Sequence, residues 1–111
     1  MADFPEVQLF QSRPADTNAV SVHSPNGKTK VTRIFVCNTS GAGSSFRLFH
    51  DEDGTTYDET TALHWNTAVG ADTTVVVADE VDMNNASGNL AVRSANANAL
   101  TFTGYGYEKA E

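Results

Sequence analysis

Apolar and polar residues alternate along this chain in short runs, which is the period-two pattern of β-strands with one buried face. Residues 28–50 read KTKVTRIFVCNTSGAGSSFRLFH and predict a β-hairpin: a long strand, a small-residue turn and a second strand. Four consecutive apolar residues, Ile34 to Cys37, predict a first strand covered on both faces, as in a central strand or one that carries a subunit contact. In the second strand Phe46 and Leu48 share one face.

The rest of the chain predicts further short strands separated by turns rich in Gly, Pro, Asn and Asp. No segment has the pattern of a three-turn amphipathic helix. Gly104 and Gly106 in the last strand indicate a bend or a close backbone approach. The pattern therefore predicts an all-β fold, an antiparallel β-sandwich or jelly-roll-like domain of eight or nine short strands. Besides the hairpin, strands are predicted at residues 7–12, 19–23, 62–68, 73–78, 81–83, 89–94 and 99–107.

The predicted core is centred on Trp65, the largest side chain, because Trp65 alternates with Leu63 on one face of its strand. Truncating a buried Trp typically costs about 3 to 5 kcal/mol. We expect Trp65 and Leu63 to be buried together with the inward residues Phe46, Leu48, Leu90, Val92, Leu100 and Phe102.

The 111 residues fit one β-sandwich domain, predicted over residues 13–111, preceded by an N-terminal arm or edge strand over residues 1–12. The formal net charge of −7 argues against a nucleic-acid partner, because phosphate binding draws on clustered Lys and Arg. The single cysteine gives no intrachain disulfide, and no apolar run has the length of a signal peptide or of a membrane span. The sequence predicts a soluble chain, with no membrane partner, that is able to join a larger assembly.

An acidic loop, residues 51–61, offers hard oxygen ligands for a cation. An EF-hand anchored on Gly54 would place Phe49 and Thr60 where the key carboxylates belong, so a solvated loop is favoured over a calcium site. His50 and His64 flank this loop and, with Asp51 or Asp53, supply transition-metal ligand types. Their spacing matches no metal motif, and we expect no metal.

Nothing in the chain predicts an enzyme or a cofactor. Cys37 continues an apolar run and is expected to be a buried, inert thiol. Nucleophile-elbow, phosphate-loop and dinucleotide motifs are absent from the sequence, and its paired carboxylates lie in loops without an apolar neighbour to raise a pKa. One alternative from another class stays open: a carbohydrate-binding module whose aromatic side chains stack on sugars, namely Trp65, Tyr57, Tyr105 and Tyr107.

From Pro25 onward the order of elements resembles a group of small all-β virion proteins of tailed bacteriophages. The similar segments are PNGKT, VTRIFVCNTSG, FRLFHDEDGTTYDETTALHW and NNASGNLAVRSANANALTFTGYG. The resemblance implies a capsid decoration (cement) protein without catalytic residues, made in the host cytoplasm and located on the capsid surface. A tail, neck or baseplate accessory protein is the alternative within the same group.

The resemblance further implies two partners, the major capsid protein and other copies of this chain, with a trimer slightly favoured over a dimer. The N-terminal residues have no hairpin partner next to them in sequence, so we expect their apolar groups to contact a coat or a neighbouring subunit. Deleting residues 1–12 is then expected to leave thermal unfolding nearly unchanged. The predicted contact residues are Phe4, Val7, Leu9, Phe10, Tyr105 and Tyr107.

Overall fold

In a computed structural model, residues 6–109 are described, and they form nine strands in two antiparallel sheets. The predicted all-β sandwich is confirmed. These residues include no helix of the length and hydropathy that a membrane span requires. The strands are β1 (Val7–Ser12), β2 (Val20–His23), β3 (Lys28–Asn38), β4 (Ser44–Asp51), β5 (Ala62–Val69), β6 (Thr74–Val77), β7 (Val81–Met83), β8 (Asn89–Ser94) and β9 (Leu100–Lys109).

Sheet A has the order β1-β9-β3-β6, and β7 pairs with the other half of β3, so that β6 and β7 act as one interrupted edge strand. Sheet B has the order β2-β8-β4-β5. The chain stays within one sheet only between β4 and β5 and between β6 and β7. At the other six connections it crosses to the opposite sheet.

The core lies between the inner faces of the two sheets, and most of the predicted core is found there. Six of the eight residues in that prediction are at most 1% exposed: Phe46, Leu48, Leu90, Val92, Leu100 and Phe102. The rings of Phe46 and Phe102 meet edge to face across the core, with centroids 5.9 Å apart. Such a contact contributes about 0.5 to 1.5 kcal/mol beyond the area that it buries.

The predicted hairpin of residues 28–50 is wrong, although both of its strands are present. β3 lies in sheet A and β4 in sheet B, and each already has hydrogen-bonded neighbours on both edges. Asn38, 1% exposed, organises the connection between them: its amide nitrogen donates to the carbonyl oxygens of Ala42 and Val69 at 2.9 and 3.1 Å, and its oxygen accepts from Ser40 N. Local alternation predicts strands correctly but does not identify their partners.

The predicted burial of Trp65 and Leu63 is also wrong, since these side chains are 41% and 48% exposed. β5 has two register shifts: Trp65 and Asn66 form a β-bulge opposite the single residue Arg47 of β4, and Leu63 has no partner between the paired residues Ala62 and His64. Asn66 takes a positive φ of 55°, a conformation that Asn tolerates better than most residues. The bulge turns Trp65 outward, while His64 packs near the core ring of Phe46 at 5.8 Å.

The first strand is part of the sandwich edge. β1 pairs along β9, where Phe10 lies opposite Gly104, and Phe10 is only 7% exposed within the core cluster. A Cβ atom at Gly104 would overlap the Phe10 ring, and one at Gly106 would overlap the carbonyl oxygen of Lys30. The close backbone approach predicted for these two glycines is confirmed.

Candidate functional site

The outer face of sheet A carries an arginine and two aromatic rings in mutual contact. Phe35 and Tyr105 meet edge to face with ring centroids 5.8 Å apart. The guanidinium carbon of Arg33 lies 6.0 Å from the Phe35 centroid and 5.5 Å from that of Tyr105. Val76, directly opposite Phe35 on the edge strand, is 49% exposed. We call Arg33, Phe35, Val76 and Tyr105 the Arg33 cluster.

The position of the Arg33 cluster follows from the pattern of β3. Ile34 and Val36 face the core at 2% and 0% exposure, so Phe35 and Cys37 between them face outward and are partly exposed. The outer side of this apolar run is therefore only half covered by the chain itself. The Arg33 guanidinium is fixed by an ion pair with Glu6, in which Nη1 and Oε1 are 2.7 Å apart.

The outer face of sheet B carries a second arginine–aromatic group, which we call the Arg47 cluster: Arg47, Trp65, Asn66 and Arg93. The guanidinium carbon of Arg47 lies 3.6 Å from the Trp65 ring centroid, and Nε donates to Asn66 Oδ1 at 2.8 Å. Both contacts exist because the β5 bulge places Trp65 and Asn66 together opposite Arg47. A cation–π contact of this kind contributes about 0.5 to 1 kcal/mol at an exposed site.

Arg93 of β8 lies directly opposite Arg47 of β4, so two guanidinium groups share this face. Like charges directly opposite each other destabilise a sheet. Arg93 Nε donates to the carbonyl oxygen of Thr17 at 2.9 Å. Within residues 6–109 neither Arg47 nor Arg93 forms an ion pair with a carboxylate, and their terminal nitrogens donate no hydrogen bond to the chain.

Beside the Arg47 cluster, the aromatic rings form a short stack. Phe49 also faces outward from β4, yet it is 1% exposed because Trp65 and Tyr57 cover it, with ring centroids at 6.3 and 6.0 Å. The outer face of sheet B is therefore apolar at its centre and cationic toward the end where β4 begins.

The sequence contains a signal for both clusters that apolar–polar alternation alone does not reveal. The tripeptides RIF, beginning at Arg33, and RLF, beginning at Arg47, each put an arginine and a phenylalanine on the outward side of a central strand. Central strands of opposite sheets thus present the same Arg-x-Phe pair to the two outer faces. Arg, Trp, Tyr and Phe are the side chains enriched at protein–protein interfaces.

The structure separates the six predicted contact residues. Phe4 lies outside the described residues. Phe10 belongs to the core and Leu9 packs partly against it, so β9 and the core already supply a surface for these two side chains. Val7 and Tyr107 are 44% and 37% exposed. Tyr105 belongs to the Arg33 cluster.

The four aromatic side chains of the sugar-stacking alternative do not share a surface. Trp65 and Tyr57 flank Phe49 on the outer side of sheet B. Tyr105 and Tyr107 lie on β9 of sheet A, on the other side of the sandwich. One face of the Trp65 ring is covered by Arg47 at 3.6 Å.

The carboxylates of the acidic loop organise their own backbone. The N–H groups of Thr56 and Asp53 donate to Asp51 and lower the pKa of that carboxyl below its usual value. The hydroxyl and N–H of Thr60 do the same for the pKa of Asp58. Among residues 6–109 no group of three or more His, Cys, Asp or Glu side chains has an arrangement that would hold a metal ion.

The two histidines that flank this loop face different acids: His50 Nε2 lies 3.1 Å from Glu52 Oε1, and His64 Nε2 lies 3.4 Å from Asp79 Oδ2. Cys37 is partly exposed on the outer face of sheet A, so its predicted full burial is wrong. The strand alternation, with Val36 inward, turns this thiol outward.

A third histidine takes part in a link between the two sheets. Glu108 Oε2, on β9, lies 3.0 Å from His23 Nε2 on β2 and accepts hydrogen bonds from the Thr29 hydroxyl at 2.9 Å and from Asn26 N–H at 3.2 Å. Burial alone would raise the pKa of Glu108 and is the largest single influence. The hydrogen bonds from Asn26, Thr29 and His23, with the His23 charge, together outweigh it and lower that pKa.

All three lysines of the chain line one groove of about 410 Å³ at the end of sheet A: Lys28, Lys30 and Lys109, with Tyr107 between them. Lys30 Nζ lies 3.3 Å from Asp82 and 3.4 Å from Glu80. Hydrogen bonds to these two acids, with their charges, raise the pKa of Lys30. The groove therefore carries acidic partners for its own cations.

No protein-family model matches the chain. No curated protein matches it either. Among solved structures, the coat protein dimer of tobacco streak virus is similar to this chain: the alignment covers 100% of this chain and 89% of that one, with 13% sequence identity and a TM-score of 0.46.

Proposed function

We propose that this chain is a structural protein of a tailed-bacteriophage virion, a capsid decoration or cement protein that binds the major capsid protein on the capsid surface and stabilises the head shell. The sequence segments beginning at Pro25 supply the family resemblance. A cement protein acts by adding contact area across a shell, so its function lies in its surfaces.

The observation that carries this proposal is the Arg33 cluster on the outer face of sheet A. The core is already complete without these side chains, yet Val76 is 49% exposed next to the Phe35 and Tyr105 rings. Energetically dominant interface positions combine aromatic anchors with arginine in this way. We assign this face to the coat contact.

The strand order supports a jelly-roll interpretation of the sandwich. Four strands β1-β9-β3-β6 face four strands β2-β8-β4-β5, and the chain crosses between the sheets at most of its connections. Jelly rolls occur in viral capsid proteins and also in lectin domains. The strand order therefore supports a virion protein and a carbohydrate-binding module equally, and the surfaces must distinguish them.

Binding of the purified chain to capsids that lack it tests the proposal. Cryo-electron microscopy of such particles should show density of this size at regular positions on the shell. Val76→Glu should reduce occupancy strongly, because it places a charge in the proposed contact. Val20→Glu is the matched control, since Val20 is also exposed, at 39%, and lies on β2, at the edge of sheet B away from Trp65. Density only at the tail, neck or baseplate would instead identify the accessory-protein alternative.

The carbohydrate alternative is favoured by one observation, the 41% exposure of Trp65 beside Tyr57. A glycan array separates the two functions. Specific glycan binding that Trp65→Ala abolishes and Tyr105→Ala leaves intact would favour the carbohydrate-binding module. The cement proposal predicts that the array shows no glycan binding that depends on Trp65.

A further inference from the structure

The outer face of sheet B has a charge gradient along its strands. Arg47, Phe49 and Asp51 are alternate residues of β4 and all face outward. Their direct partners on β8 are Arg93, Ala91 and Asn89. The strands thus carry a cationic row, an apolar row and an acidic row, spaced by about 7 Å each at the usual rise of an antiparallel strand. The apolar row is itself buried, with Trp65 and Tyr57 lying over Phe49.

The acidic row continues into the loop that follows it. Asp51 is the last residue of β4, and Glu52, Asp53, Asp58 and Glu59 of the next eight residues are exposed. At the opposite end of the same face, Arg47 and Arg93 have no carboxylate partner among residues 6–109. One end of this surface therefore offers unpaired guanidinium groups and the other an excess of carboxylates.

A surface with this order is complementary to itself. A two-fold axis that runs in the plane of the face, at right angles to the strands, reverses the strand direction of the second copy. The cationic row of each copy then lies over the acidic end of its partner, and the aromatic side chains that lie over Phe49 are near the axis. This is the defining property of an isologous interface, in which residue i contacts residue j and j contacts i.

We propose that the outer face of sheet B is a two-fold interface with a second copy of this chain, in which Arg47 and Arg93 of each copy bind the acidic loop of the other around a Trp65 centre. This deepens the proposed function by naming the surface used for self-association, and it gives a dimer rather than a trimer. The outer face of sheet A, which carries the Arg33 cluster, stays free to contact the coat.

The size and composition of the face suit such a dimer. The molecule measures 42 × 30 × 20 Å, so a broad face is large enough for the roughly 800 Å² that each partner buries in a standard interface. Trp65, which lies opposite Arg47 and in ring contact with Phe49, is 41% exposed and is already held by both side chains. A pre-ordered aromatic side chain loses little conformational freedom on binding.

Charge reversal at the two ends gives a sharp test. One variant, Arg47→Glu with Arg93→Glu, makes the face acidic throughout, and a second variant, Asp53→Lys with Glu59→Lys, makes it more basic. Asp51 is left unchanged because it organises the loop backbone. Sedimentation velocity should show a dimer for the natural chain, and each variant alone should raise the dimer Kd at least about tenfold.

An equimolar mixture of the two variants should restore a dimer that contains one of each, because both of its contacts again join opposite charges. Trp65→Lys should also give a monomer, which keeps the test valid if a charge variant fails to fold. Val76→Lys is the matched control on sheet A, and it should leave the dimer intact.

Three results would overturn the inference: a natural chain that stays monomeric, a dimer that Val76→Lys disrupts and Trp65→Lys does not, or a mixture that fails to associate. A monomeric chain that still decorates capsids would leave the cement proposal standing without this interface. A dimer that binds no particle would support this interface and contradict the cement proposal.

Discussion

Gly104 of β9 lies against the ring of Phe10 of β1, so closely that a single methyl group on Gly104 would overlap three atoms of that ring. The contact joins a residue near the start of the chain to one near its end, across the edge of sheet A. It explains how Phe10 reaches 7% exposure on an edge strand: the space above Gly104 is where the ring fits.

Gly104→Ala should therefore destabilise the fold by about 1 to 3 kcal/mol, the usual cost of overpacking a core. Urea unfolding measures this. Gly41→Ala is the matched control, because a methyl group there meets nothing within 4 Å, and its effect should be below about 0.5 kcal/mol. The double variant Gly104→Ala with Phe10→Ala should cost clearly less than the two single effects added together. Simple additivity would refute the contact.

Trp65→Ala should cost much less stability than Phe46→Ala. Phe46 is 1% exposed in the core, and removing such a ring costs about 3 to 5 kcal/mol. Trp65 is 41% exposed, so much of its surface stays in water in the folded chain. Thermal unfolding at concentrations where the chain is monomeric compares the two variants directly. Equal losses would show that Trp65 is part of the core after all.

Acid should weaken the link between the sheets through Glu108. A carboxyl whose pKa is lower in the folded chain than its usual 4.5 stabilises the fold at pH values above that usual pKa. The contribution disappears as the pH falls below 4.5 and through the lower pKa of the folded state. We expect Glu108→Gln to flatten the decline of stability below pH 4.5, measured as urea midpoints across that range.

Glu59→Gln, which removes the same charge from an exposed loop residue, is the control for this measurement. This variant should lose stability below pH 4.5 about as steeply as the natural chain does. If Glu108→Gln and Glu59→Gln give the same pH dependence, the network of His23, Thr29 and Asn26 does not act on Glu108.

Tyr57→Phe should stabilise the chain by about 1 kcal/mol. The Tyr57 hydroxyl is buried and has no hydrogen-bond partner among the described residues, and a buried unpaired polar group costs about 1 to 3 kcal/mol. The phenylalanine ring keeps the packing against Phe49 at 6.0 Å. Chemical unfolding of the two proteins provides the measurement, with Tyr107→Phe at an exposed side chain as the neutral control. A loss of stability in Tyr57→Phe would reveal a bonded hydroxyl.

Strand positions were largely predictable because alternation is a local property of the sequence. β8 occupies the predicted residues 89–94, and the inward residues Leu90 and Val92 are in the core as expected. Strand partners were not predictable in the same way. β3 and β4 are neighbours in sequence, with a turn suited to a hairpin, yet they pair with β9 and β8, whose paired residues lie 38 to 81 positions further along the chain.

The exposed Trp65 shows a second limit of predicting structure from sequence alternation. Alternation assigns faces only while the period of two holds, and one extra residue reverses every assignment beyond it. Asn66 is that residue, but an Asn between Trp and Thr does not by itself predict a bulge. Alternation also leaves the candidate interfaces undefined: the apolar run from Ile34 to Cys37 predicts a covered outer face, but not that Arg33 and Arg47 belong to such faces.

The pairing of β1 with β9 also affects how the chain folds during its synthesis. β1 leaves the ribosome well before β9, its neighbour in sheet A. Sheet A cannot close, and Phe10 cannot be buried against Gly104, until β9 has been synthesised. Folds built from such distant pairings form slowly and leave strand edges and apolar surface open in the meantime. The sandwich therefore completes its fold only after β9 has been made, and a copy that terminates before β9 lacks the strand with which β1 pairs.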